Sequence, residues 1–62
     1  MTEITAKELN MISDALTYEG LICKKARMYS RTLTDVDLAG CMEQIANEHE
    51  ARYASLLNLI GG

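Results

Sequence analysis

The sequence predicts an all-α fold, an antiparallel two-helix hairpin over about 5–33 and 35–60 that self-associates, in the simplest case as a dimeric four-helix bundle. Three observations predict it. Apolar residues recur at helical spacing through both halves of the chain. One short polar cluster separates the halves. A chain of 62 residues is also too short to cover the apolar faces it carries. All of 1–62 is read as a single helical-hairpin domain.

The first helix opens at Thr5-Ala6-Lys7-Glu8, the signature of a capping box with Thr at N-cap and Glu at N3. Leu9, Ile12, Leu16, Glu19, Cys23, Ala26, Ser30 and Leu33 then fall at alternating spacings of three and four, with Ala15, Ile22 and Tyr29 widening the stripe. Acids gather in its first half and the cations Lys24, Lys25, Arg27 and Arg31 in its second, as the helix macrodipole favours. At 1.5 Å per residue the helix should be roughly 43 Å long. Gly20 costs about 1 kcal/mol relative to Ala, but the stripe keeps its phase there, so the helix is expected to continue.

Thr32, Thr34, Asp35 and Asp37 form the turn cluster, with Asp35 as N-cap of the second helix. Its expected stripe is Leu38, Met42, Ile45, His49, Arg52 or Tyr53, Leu56, and Leu59 or Ile60, ended by Gly61-Gly62. So short a connection makes the helices antiparallel neighbours.

A chain of this size is marginal alone and usually needs disulfides, a metal or oligomerisation. Two cysteines allow one bridge at most, and no CxxC pair suggests a zinc site. Oligomerisation remains, with Ile22, Tyr29, Tyr53 and Leu57 as the expected interface and a homodimer as the expected state. Nine acids against six bases, net charge −3, argue against a nucleic-acid partner. No apolar run approaches a membrane span. Met1-Thr2-Glu3 lacks the features of a signal peptide, which points to cytoplasmic synthesis with Cys23 and Cys41 reduced and mostly buried.

A hairpin turning near residue 34 sets Glu19 opposite His49, two polar residues on apolar stripes. Each needs a partner there, because an isolated buried charge costs several kcal/mol. The favoured reading is a paired polar layer. The alternative is a transition-metal site formed by Glu19 and His49, with Glu48 beside them, and completed by a second chain. The Glu-x-x-His motif of bundle metal sites is missing, since Ala46 stands three residues before His49. No catalytic constellation is present, so the chain is read as a non-enzyme without cofactor. Met11, Met28 and Met42 read as gap-fillers.

Lys7-Glu8-Leu9, Asp14, Leu16, Glu19 and Lys24-Lys25-Ala26-Arg27-Met28-Tyr29 resemble the first helix of small CotF-like (spore coat protein F type) ferritin-like proteins of spore-forming bacteria. Asp35-Val36-Asp37-Leu38, Cys41, Glu43-Gln44-Ile45-Ala46-Asn47-Glu48-His49-Glu50 and Leu56-Leu57 are similar to their second helix. The resemblance covers nearly the whole chain as scattered positions. It implies half of a ferritin-like bundle, a structural place in the spore coat with other coat proteins as partners, and no established reaction. The family tends to carry a second His near Arg52 or Tyr53, which this chain lacks. Alternatives to the coat reading are a metal-binding ferritin-like half-bundle and a regulatory hairpin that docks on a partner protein.

Overall fold

The computed structural model describes residues 4–61. It consists of α1, Ala6–Thr32, and α2, Val36–Gly61, and contains no strand among the described residues. Thr5 Oγ1 accepts from the Glu8 backbone N–H at 3.1 Å, and Glu8 Oε1 accepts from the Thr5 N–H at 3.0 Å. The expected capping box is therefore formed, satisfying two N–H groups that have no partner within the helix. The bond from the Thr5 backbone, then that from its hydroxyl, holds the Glu8 carboxyl below its ordinary value.

α1 stops at Leu33, where ψ of 133° takes the backbone out of the helix while the Leu33 N–H still donates to Tyr29 O at 3.0 Å. Two residues later Asp35 Oδ1 accepts from the Leu38 N–H at 3.0 Å, and Asp35 O accepts from Ala39 N–H at 2.9 Å. Asp35 is thus the N-cap expected from the sequence. The chain reverses, and the hairpin measures 46 × 16 × 12 Å. Arg27 meets Asn47 and the ring of Tyr53 lies against Gly20 across it, which makes the helices antiparallel.

The seam of α1 is Ile12, Leu16, Glu19, Cys23, Ala26 and Ser30, the expected stripe without its two ends: Leu9 and Leu33 are exposed. In α2 the seam is Ala39, Met42, Ile45 with Ala46, His49, Leu56 and Ile60, with Tyr53 at its edge. Leu38, expected on the stripe, is 52% exposed, and Ala39 takes its place. Ala39, Met42 and Ala46 continue one three-four spacing, and Leu38 lies about 100° round the helix from Ala39. Leu59 likewise faces outward while Ile60 turns in. α2 runs through Gly61 rather than ending before it; Gly62 lies outside the described residues, as do Met1 to Glu3.

Among the described residues only Ala26 and Ala46 are buried, at 5% and 0% exposure. Methyl side chains there let the two backbones draw close. Gly20 has the same role toward a ring: a Cβ at Gly20 would stand 3.3 Å from Cε2 of Tyr53. The helix-weakening glycine admits the tyrosine to the edge of the seam.

Candidate functional site

α1 brings Glu19 to the seam two turns before Ala26, α2 brings His49 there within a turn after Ala46, and His49 Nδ1 donates to Glu19 Oε2. Their side chains are 19% and 17% exposed, half-withdrawn from water at the point where two polar residues interrupt the apolar stripes. The polar layer expected from the sequence is formed. The bond uses Nδ1, which leaves Nε2 as the ring nitrogen open to a further partner. This is the arrangement by which a carboxylate orients an imidazole.

Glu48 does not join them. It is exposed, one residue before His49 and so about 100° away round α2. Among the described residues no group of three or more His, Cys, Asp or Glu is placed to hold a metal ion. With Glu19 committed to His49 Nδ1, a single chain offers one free imidazole nitrogen and does not supply a metal site. Both cysteines are free, Cys23 half-buried and Cys41 exposed. The burial expected of Cys41 is therefore corrected: it is turned about 100° from Met42, off the seam.

A second polar network, which the sequence did not signal, joins the helices. Arg27 donates through Nη1 to Asn47 Oδ1 at 3.0 Å and through Nη2 to Glu50 Oε2 at 3.3 Å. Glu50 is 67% exposed, so the ion pair is worth about 0–1 kcal/mol. Arg27 and Asn47 share the register that sets Gly20 against Tyr53, whereas a turn centred near residue 34 would set Arg27 opposite Cys41, so the expected register did not signal this contact.

These contacts divide the hairpin into two faces. One carries Ala15, Glu19, Arg52, Ser55 and Leu56 around a shallow groove. The other carries a larger groove of about 660 Å³, lined by residues that include Gly20, Lys24, Arg27, Arg31, Glu50 and Tyr53. Ile22 and Tyr29 are turned about 160° from Lys24 and Arg31, so they belong to the first face. Leu57, one turn beyond Tyr53, belongs to the second. The four expected interface residues are all exposed, at 38% for Ile22, 47% for Tyr29, 38% for Tyr53 and 46% for Leu57, but they form two pairs on opposite sides. Neither helix is long and apolar enough to cross a membrane. The chain matches no protein family, no curated protein and no solved structure.

Proposed function

We propose that the chain is a structural, non-enzymatic protein whose working form is a self-associated bundle, a homodimer joined through the face that carries Ile22 and Tyr29. The observation that carries this reading is surface area. The hairpin exposes 4882 Å², whereas a compact monomer of 6.9 kDa exposes about 4,000 Å². The surplus of roughly 900 Å² is close to the ~800 Å² that each partner contributes to a standard interface. Much of it is apolar on one face: Met11 is 62% exposed and Tyr18 69%, in line with Ile22 and Tyr29. A twofold axis along the hairpin lays this stripe on α2 of the second copy, giving four helices with antiparallel neighbours. The resemblance to CotF-like proteins supports a place for this assembly in the spore coat.

Sedimentation should find a dimer at micromolar concentration, with a melting temperature that rises with concentration. Ile22→Lys should shift the distribution to monomer. A folded wild-type monomer with a concentration-independent melt overturns the proposal. Detection of the protein in extracted coats tests the coat assignment separately, and its absence there removes that part alone.

The Glu19–His49 bond favours a second reading, a ferritin-like half-bundle in which each chain of a dimer presents His49 Nε2 to a shared transition metal. Equilibrium dialysis against zinc distinguishes it. One tightly held ion per dimer, lost in His49→Ala, supports a metal site, and no uptake leaves the polar layer as a stabilising pair.

A further inference from the structure

We propose a second interface on the opposite side of the hairpin, through which dimers of the kind just described associate into larger assemblies in a salt-dependent way. This rests on the dimer reading and extends it. The surface is the groove over Gly20 and Tyr53, and its occupant is the same surface of another copy.

Charge complementarity identifies this occupant. On this face Lys24, Arg27 and Arg31 follow one another along α1 at three- and four-residue spacing, while Glu43 and Glu50 stand two turns apart on α2. Within the chain, Arg27 is answered by Glu50. Lys24, Arg31 and Glu43 are exposed and make no ion pair among the described residues. A twofold axis along the hairpin would set each copy's α1 over the other's α2 at the same height, cations over carboxylates. Lys24 and Arg31 would then fall within about a turn of Glu43 and Glu50 on the second copy, twice over by symmetry. Met28, 52% exposed, lines the same groove, and Leu57, 46% exposed, lies two turns beyond Glu50 on this face; both add apolar surface at the margins of the charged rows. The opposite twofold, which reverses the hairpin, would lay the cations over the far half of α1, where Leu9 and Gly20 offer no charge on this face. The chain thus favours one orientation. Two isologous faces on opposite sides of one molecule do not close on themselves, so association proceeds beyond the dimer.

The test is sedimentation of the full chain at about 0.01 M and about 1 M salt, where the Debye length is roughly 30 Å and 3 Å. Wild type should exceed dimer mass at low salt and return to dimer at high salt. Lys24→Glu/Arg31→Glu and Glu43→Lys/Glu50→Lys should each remain dimeric at low salt, since each places like charges across the second face. Mixing the two should restore the larger species, because every row then meets its opposite. Melts at high salt check that both variants fold. A wild type that stays dimeric at low salt overturns this inference and leaves the dimer reading intact. Larger species indifferent to salt and to the charge reversals overturn it as well. A wild-type monomer throughout would instead remove the dimer reading on which it depends.

Discussion

Replacing Ala46 by Leu tests the claim that the hairpin closes on its small residues. Ala46 is 0% exposed, and with Ala26 it forms the buried core of the described residues. Leu adds three carbons where the helices leave no space, and overpacking of this kind costs typically 1–3 kcal/mol. A chain of 62 residues has a stability of about 3–9 kcal/mol, so the loss is a large fraction of the total. With an unfolding entropy of about 2.1 cal/mol/K per residue, each kcal/mol lowers the melting temperature by roughly 8 °C. The expected drop is therefore about 8–24 °C. The assay is thermal unfolding followed by far-ultraviolet circular dichroism at one fixed chain concentration, because association itself moves the midpoint. Ala54→Leu is the control: Ala54 is exposed on the same helix, and its change should stay within about 0.5 kcal/mol. If Ala46→Leu melts with wild type, or no lower than Ala54→Leu, the helices do not meet at Ala46 and the seam described above is wrong.

Three further outcomes are expected. Glu8 is held below the ordinary carboxylate value of 4.5 in the folded chain, so its bond to Thr5 contributes stability that is present above that value and lost as pH falls through the depressed one. Glu8→Gln keeps the capping geometry but cannot titrate, so unfolding measured across this acid range should lose part of its pH slope; an unchanged slope would contradict the assignment. Glu19→Ala and His49→Ala should each cost about 1–3 kcal/mol, because each leaves its partner unsatisfied in a half-buried layer, and the double variant should cost less than the two added together. Strict additivity in that cycle would mean the side chains do not interact. In dilute protein an alkylating reagent should modify exposed Cys41 faster than half-buried Cys23, as read by mass spectrometry of the peptides, and equal rates would count against the assigned phase of α2.

Local chemistry determined the elements. Thr5 with Glu8, and Asp35 before Val36, mark helix starts because each supplies an oxygen to N–H groups that the helix leaves open, and both bonds are formed. The Glu19–His49 layer was equally legible, since a short turn ties residue numbers on the two helices together and polar residues on apolar stripes must meet something. Only the packed structure decided the rest. α2 is apolar over so wide an arc that periodicity allows Leu38 or Ala39, and Leu59 or Ile60, and the choice falls to how closely α1 approaches. Gly20 reads in the sequence as a weak point, and only the ring of Tyr53 against it shows why a side chain there would crowd the seam. Ile22 and Tyr29 read as one interface with Tyr53 and Leu57 until the phase of both helices is known. That phase puts the pairs on opposite faces, because a side chain's direction depends on how its helix is rotated against its neighbour, and rotation is set by tertiary packing rather than by spacing along the chain.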